Sequence, residues 1–312
     1  MQDIASWLLP PLERVQTLKQ SNGLSHALLI SGAQGVGQEV LAEQIVKSLM
    51  CESQELAPCN RCHSCQLMQA ETHPDYRILD GEGGAIKIDQ IRNLVSKISQ
   101  KPQVGENKVV LIRHAQAMNI NAANAVLKAL EEPAERTYFV LTSSQSTSLL
   151  PTIRSRCLLL NVPTPSNEMV ANWLNQQEQG EALKALFWLT TQPYRLLALR
   201  DDGKLDFYAE LPQKLCQFLQ STMSVEQILK GLDNTNIGHY CDALAAILHQ
   251  CICHSTGAEL SPSLNQVYEI LMNRCGIRKI MQRYQALQNL KQDLQKTNLN
   301  PIMQLTLELN QW

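Results

Sequence analysis

Excess positive charge is the first thing this sequence lacks. Its 312 residues carry 27 Lys and Arg against 29 Asp and Glu, a net charge of −2, with pI about 6.4. That excludes a surface basic enough to hold nucleic acid by counterion release alone, and leaves room only for a local patch. Long uncharged apolar runs are missing too, so no bilayer span is expected. The stretch from Met1 to Leu18 mixes acidic and basic side chains and has no signal-peptide layout, so the expected location is cytoplasmic. Tandem repeats and low-complexity tracts are absent. What is present, 44% hydrophobic and 18% charged residues, is the composition of a globular chain with length for two or three domains.

A more local absence carries more information. Ser31-Gly-Ala-Gln-Gly-Val-Gly-Gln-Glu-Val40 follows the apolar run Ala27–Ile30 and precedes an amphipathic stretch from Leu41 to Leu49. Strand, glycine-rich loop and helix is the layout of a phosphate-binding loop, G-x-x-x-x-G-K-[ST], whose backbone N–H groups cradle phosphates. Gly32 and Gly37 fill the glycine positions, with Gly35 between them. The lysine position holds Gln38 and the hydroxyl position Glu39. Lysine would neutralise β/γ phosphates and the hydroxyl would hold Mg²⁺. Glu39 instead brings a negative charge where phosphate charge would sit. At roughly 4 Å and an effective dielectric near 20, each such repulsion is on the order of 4 kcal/mol. The later strand, Lys108 to Ile112, should end in carboxylates if it served an NTPase, but Arg113-His114-Ala115 follows it. His114 reads as a strand-end histidine rather than a base.

The chain has ten cysteines. Four are clustered as Cys51-x7-Cys59-x2-Cys62-x2-Cys65, with turn-favouring Pro58, Asn60 and Ser64 between them. In a reducing compartment such clusters are metal ligands more often than disulfides. Four soft thiolates from one compact loop suit tetrahedral Zn²⁺ and leave no open coordination position, so the site reads as structural. An unmetallated loop is the alternative, and His63 could replace one cysteine. The iron–sulfur run C-x2-C-x2-C-x3-C-P fails at Gln69.

In order, the pattern predicts a helix over Pro11–Gln20, a strand over His26–Ile30, a helix to Met50, and a short helix and turn over residues 66–75. A strand over Tyr76–Leu79 and a turn, Asp80 to Gly84, follow. Next come a helix capped by Asp89 with Ile91, Leu94, Val95 and Ile98 on its apolar face, the strand Lys108–Ile112, and a helix Ala122–Glu131 capped by Asn121 and stopped at Pro133. Strands Thr137–Thr142 and Leu158–Val162 flank a short helix, Leu149–Ile153. Five strands alternating with helices predict a five-stranded parallel α/β sheet. Pro163-Thr-Pro165 is a linker and Asp201-Asp202-Gly203 a second boundary. Beyond the linker the pattern is all helical. Asn167–Gln177, Glu181–Thr190 and Arg195–Arg200 form a small lid. Ile237, Tyr240, Cys241, Leu244, Leu248 and Cys251 then share one helix face, and Leu264–Cys275, Ile277–Gln295 and Ile302–Leu309 follow. Cys216, Cys241, Cys275 and the Cys251-x-Cys253-His254 run lie in helical patterns, where residues two apart face different ways.

Asn124-Ala-Val-Leu-Lys-Ala-Leu-Glu-Glu-Pro133, a strand, and then Ser155-Arg156-Cys157 together resemble the clamp-loader branch of the AAA+ superfamily, as do the four cysteines and the run from Cys65 to Asp75. The detailed likeness covers about residues 20–165. It implies an AAA+ core with zinc module over residues 1–163, a helical lid over 164–203, and a helical collar domain for oligomerisation over 204–312. It also implies a member that neither binds nor hydrolyses ATP productively. Partners would be γ/τ-type ATPase subunits and a clamp-opening δ subunit in a hetero-pentamer. Through that complex the chain would meet the sliding clamp and primer-template DNA, with no membrane. Carried over, Arg156 is the arginine finger that completes a neighbour's ATP site, Arg154 is its nearest competitor, Thr142 occupies the γ-phosphate sensor position, and Arg195 matches the lid arginine weakly. The expected cofactor is structural zinc, with no ATP. Two alternatives are an active ATPase using Glu39 as a Mg²⁺ ligand and a zinc-stabilised nucleic-acid-binding module acting alone.

Overall fold

The five apolar runs form one parallel sheet in the computed structural model, which describes residues 4–53, 58–82, 84–98, 101–232, 236–294 and 300–312. Its strands are β1 (Ala27–Ser31), β2 (Tyr76–Asp80), β3 (Lys108–Arg113), β4 (Thr137–Ser143) and β5 (Leu158–Asn161), ordered β2-β3-β4-β1-β5 in space. Strand ends shift by a residue from the sequence pattern because ladder pairing, not apolarity, ends a strand. Ser31 pairs with both Ser143 and Asn161, and Asp80 pairs with Arg113.

Helices α1 (Leu9–Gln20), α2 (Gln38–Met50), α3 (His63–Gln69), α4 (Ile88–Ile98), α5 (Ile120–Glu131) and α6 (Pro151–Arg154) connect or flank these strands. Several helix starts correct the expectations. α3 begins at His63, not near residue 66, because the Cys62 thiolate position caps it, accepting the Cys65 N–H at 3.4 Å. Asp89 lies inside the first turn of α4 instead of capping it, and Gln90 Oε1 accepts the Lys87 N–H at 2.8 Å. Asn119, not Asn121, caps α5, its side chain accepting the Ala122 N–H at 2.8 Å. α1 starts two residues early because proline is compatible with a first helical turn.

Alternation divides the sheet between two layers. Ala27, Leu29, Val110, Ile112, Phe139 and Leu141 face Ile91 and Leu94 of α4 and Ala122, Val126 and Leu130 of α5. α2 covers the other face with Leu41, Ile45 and Leu49 buried. Phe139 is fully buried; such a side chain contributes about 1.5–3 kcal/mol relative to exposure. This is the five-stranded parallel α/β core that the sequence pattern predicted.

The chain divides into two compact units, Met1–Ser166 and Asn167–Trp312. The second is all helical: α7 (Asn167–Leu174), α8 (Gly180–Lys184), α9 (Pro193–Asp201), α10 (Leu205–Leu219), α11 (Val225–Ile228), α12 (Ile237–Ser255), α13 (Asn265–Leu294) and α14 (Pro301–Leu309). At Gly180 an added Cβ would stand 2.1 Å from the Leu174 carbonyl oxygen, so only glycine lets α8 start this close to α7. α13 breaks at Gly276 (φ 68°), where the pattern separated two helices; Gln295 of the second, like Gly83 of the turn, lies outside the described residues. Ile237, Tyr240, Cys241, Leu244, Leu248 and Cys251 of α12 are buried together, as their period implied. Among the described residues no helix is long and apolar enough to cross a membrane.

Candidate functional site

In an open parallel sheet, ligands bind beyond the strand C-termini where neighbouring connections diverge. β1 and β4 are such neighbours, and the glycine loop follows β1. Gly32 permits a close approach: a Cβ there would come within 2.9 Å of Val162 Cβ and 3.0 Å of Val36 Cγ2. Gly35 and Gly37 hold φ of 77° and 107°, the left-handed region open to glycine. Trp7 Nε1 donates to the Val36 carbonyl at 2.8 Å and pins the loop from outside. The loop thus keeps its shape.

Its charges are another matter. Glu39 stands in the first turn of α2, where the helix dipole and free N–H groups favour an anion. Thr142 Oγ1, at the end of β4, donates to Glu39 Oε1 at 2.6 Å and accepts the His114 N–H at 3.1 Å. Arg113, ending β3, lies 3.7 Å from Glu39 and 3.6 Å from Asp80 at the end of β2, and pairs with Glu43 one turn along α2. His114 takes a left-handed φ of 51°, and its Nδ1 is 3.0 Å from Asp80 Oδ1. A working phosphate site has its cation on the loop and its carboxylates on the strands. Here the carboxylate is on the loop and the cation on the strand. Glu39 occupies the helix N-terminus as a phosphate would, and Arg113 answers it.

Burial pushes the Glu39 carboxyl above its ordinary value despite the Thr142 hydrogen bond and the nearby His114 and Arg113. Asp80 goes the other way: burial raises it, but the Glu82 N–H, His114 and Arg113 together outweigh that. Gln38 is buried, and its Oε1 has no partner among the described residues. His114 is tied to Asp80, and Thr142 bridges Glu39 and the His114 backbone. Both hold the structure together. The strand end presents no carboxylate free to hold Mg²⁺ through water. Glu43 and Asp80 escaped the sequence reading as site residues; Glu43 was signalled only by its i, i+4 placement with Glu39 on one helix face, and Asp80 by nothing.

The second cluster begins where α2 ends. The Sγ atoms of Cys51, Cys59, Cys62 and Cys65 all lie within 4.8 Å of one another. Tetrahedral Zn–S bonds of about 2.3 Å need S···S separations of roughly 3.8 Å, so the donor set fits a metal ion. Backbone N–H groups of Ser53 and Cys59 point at Cys51 Sγ (3.4 and 3.3 Å), that of Cys62 at Cys59 Sγ (3.4 Å), and that of Cys65 at Cys62 Sγ (3.4 Å). Such donors stabilise thiolates and orient ligands. N–H groups of Arg61 and Cys62 bring Cys59 down to about 6, whereas burial pushes Cys51 and Cys65 up. All four become thiolates together only around a cation. His63 stays outside the converging set. Behind it, Ser64 Oγ donates to the Met50 carbonyl at 2.5 Å and meets His73 Nε2 at 3.0 Å. His73 Nδ1 accepts the Asp75 N–H at 3.1 Å. Burial lowers the His73 pKa, consistent with a neutral ring protonated on Nε2.

Arg156 lies in the turn between α6 and β5. Its Nη1 donates to the Thr152 carbonyl at 2.8 Å and approaches Ser155 Oγ at 3.4 Å; its Nη2 is 2.5 Å from Glu131 Oε1. Arg154 is exposed and its side chain has no partner among the described residues. Arg195 lies on α9, near Tyr208. Cys241 and Cys251 are buried, and burial pushes both thiols up to about 12. Cys253 Sγ is 3.7 Å from His249 Nε2, while His254 Nδ1 turns to the Ala258 carbonyl at 2.7 Å. Among the described residues the four clustered cysteines alone converge on a metal position.

A family model described as "DNA polymerase III, delta subunit" matches residues 10–166. DNA polymerase III subunit delta' of Pseudomonas aeruginosa is 33% identical over 300 residues, 92% of each chain. The chain belongs to the DNA polymerase III delta' family. The delta' subunit of Haemophilus influenzae is 35% identical over 253 residues, 80% of this chain and 77% of its own. Among solved structures, a Thermotoga maritima DNA polymerase III gamma subunit-related protein is similar at TM-score 0.49 and 18% identity, covering 96% of this chain and 97% of its own. The span matched by the family model, residues 10–166, holds the inverted loop, the four cysteines and Arg156. The coverage of the Pseudomonas delta' carries the likeness into the helical unit.

Proposed function

We propose that this chain is a non-catalytic subunit of a DNA polymerase III clamp loader and that it supports ATP-dependent loading of the sliding clamp on primed DNA. The charge inversion at the loop carries this reading. With Glu39 on the helix N-terminus and Arg113 on the strand, a nucleotide would meet repulsion where it needs a cation, and Mg²⁺ would meet a guanidinium. The chain therefore has no ATPase activity of its own. It serves as a fixed member of a hetero-pentamer with γ/τ-type ATPase subunits and a δ subunit, in the cytoplasm. It reaches clamp and primer-template DNA through that complex. Arg156 acts in trans, its guanidinium stabilising charge on the γ-phosphate in a neighbour's site, a role that for such fingers is worth about 10³–10⁵ in rate. The second unit divides near Gly203 into a lid (164–203) and a collar domain (204–312), and Cys51, Cys59, Cys62 and Cys65 hold structural zinc.

Titrating the full chain with MgATP tests the inert site, and no heat or fluorescence change is expected. Micromolar, Mg²⁺-dependent binding would overturn it and favour the divergent ATPase. Arg156→Ala in a complex reconstituted with ATPase and δ subunits tests the finger. Assembly should persist while DNA-stimulated ATPase falls; an unchanged rate would refute the assignment.

A further inference from the structure

The geometry points to Glu131 as the positioning residue for Arg156, an inference that rests on the trans-finger reading above. A guanidinium is a rigid fork of five N–H donors. Its value to a neighbour's phosphate depends on where the fork points before the phosphate arrives. Arg156 is held from two sides by its own chain. Nη1 is fixed to the Thr152 carbonyl of α6 and Nη2 to the Glu131 carboxylate, at 2.8 and 2.5 Å. With Ser155 Oγ counted at 3.4 Å, Nε–H and one Nη2–H remain without a partner among the described residues. The side chain as a whole is 35% exposed.

The two anchors are themselves fixed. Glu131 is the last residue of α5, whose Val126 and Leu130 are buried under the sheet, and Pro133 stops the helix just beyond it. Thr152 belongs to α6, whose Ile153 is fully buried. The carboxylate and the carbonyl thus locate the guanidinium against two packed helices. Neither neighbouring candidate has this arrangement. Arg154 is exposed with no side-chain partner among the described residues, and Glu132, adjacent to Glu131, is exposed with none either. Of the two arginines beside Cys157 only Arg156 has its fork held, and of the two glutamates before Pro133 only Glu131 holds it.

The test compares Glu131→Ala, Glu131→Gln, Glu132→Ala, Arg156→Ala and the Arg156→Ala/Glu131→Ala double variant in the reconstituted complex, with assembly checked by size exclusion. Glu131→Ala should lower kcat of DNA-stimulated ATPase about tenfold with KM for ATP little changed, as expected for a misplaced transition-state contact. Glu131→Gln keeps an acceptor oxygen and should recover to within about threefold of the parent. Glu132→Ala should match the parent. On the Arg156→Ala background, Glu131→Ala should cost nothing further, since residues acting as a unit are not additive. A Glu131→Ala rate within twofold of the parent while Arg156→Ala is impaired would overturn the positioning role alone. A raised rate would also overturn it, because the carboxylate would then be competing with phosphate. An unimpaired Arg156→Ala would overturn both this role and the finger.

Discussion

Removing the Arg113 charge should damage the first unit far more than removing the Glu39 charge. Arg113 is the one guanidinium among Glu39, Glu43 and Asp80. At 3.7 and 3.6 Å, and with an effective dielectric near 20, each of the two longer pairs has a gross attraction of about 4.5 kcal/mol. Desolvation cancels much of this, and deleting one partner of a fully buried pair typically costs about 3–5 kcal/mol. The side chains here are a quarter to two-fifths exposed, so the figure should fall to about 2–3 kcal/mol. Arg113→Met keeps the aliphatic stem and isolates the charge. In equilibrium urea unfolding of the full chain, the transition of the first unit should move down by about 1 M, taking a slope of roughly 2–3 kcal/mol/M. Glu39→Gln should shift it by much less, because burial already disfavours that carboxylate. The double variant should recover about 1 kcal/mol or more of the Arg113→Met loss, the coupling expected of contacting charges. An Arg113→Met shift below about 0.2 M, or a Glu39→Gln loss exceeding it, would refute the balance of charge described here.

Glu39 also predicts a pH dependence. Its carboxyl is raised in the fold, so between its ordinary value and the folded one the native chain holds a proton that the unfolded chain has released. Its contribution to stability is therefore greatest below the ordinary value of 4.5 and falls as pH rises through the raised one. Glu39→Gln should flatten that part of the urea-midpoint profile, and an unaltered slope would contradict the shift. Asp80, lowered, works in the opposite sense, its stabilisation being lost as pH falls below 3.8. Elemental analysis should find one zinc per chain, and Cys62→Ser should lose it along with several kcal/mol of stability; a metal-free chain of equal stability would reject the site. Gln38→Lys with Glu39→Ser should create measurable ATP binding, since it supplies the missing cation and removes the internal anion. A variant that folds but stays silent in a fluorescent-nucleotide titration would show that charge is not what closes the loop.

Much of this was legible in the chain itself. Continuous apolar runs such as Lys108 to Ile112 betray buried parallel strands, and the spacing of Cys59, Cys62 and Cys65 requires nothing beyond local geometry. Gly276 marked the break in α13 because a left-handed φ suits glycine. Caps were less visible. Asn119 and Asn121 are chemically equal, and only the backbone path of α5 selects one; the Cys62 thiol capping α3 is a role that cysteine spacing does not advertise. The polar cluster was half visible. Gln38, Glu39, Arg113 and His114 announced what is missing, but their answering groups, Asp80 and Glu43, meet Arg113 only because the sheet order sets the ends of β2 and β3 beside α2. Glu131 and Arg156 likewise meet through the packing of α5 on α6.

α2 joins the two sites. Its first turn carries Glu39, fastened to the end of β4 through Thr142, and the residue after its last turn is Cys51, a thiol of the four-cysteine cluster. Thirteen helical residues span about 20 Å. The helix is in effect a strut bolted at both ends, and loosening either bolt should slacken the other. Oxidation or chelation of the thiols should therefore quicken amide exchange in the glycine loop, even though no thiol lies near it along the chain. Redox state would then reach the loop as a loss of mechanical restraint, with no nucleotide taking part.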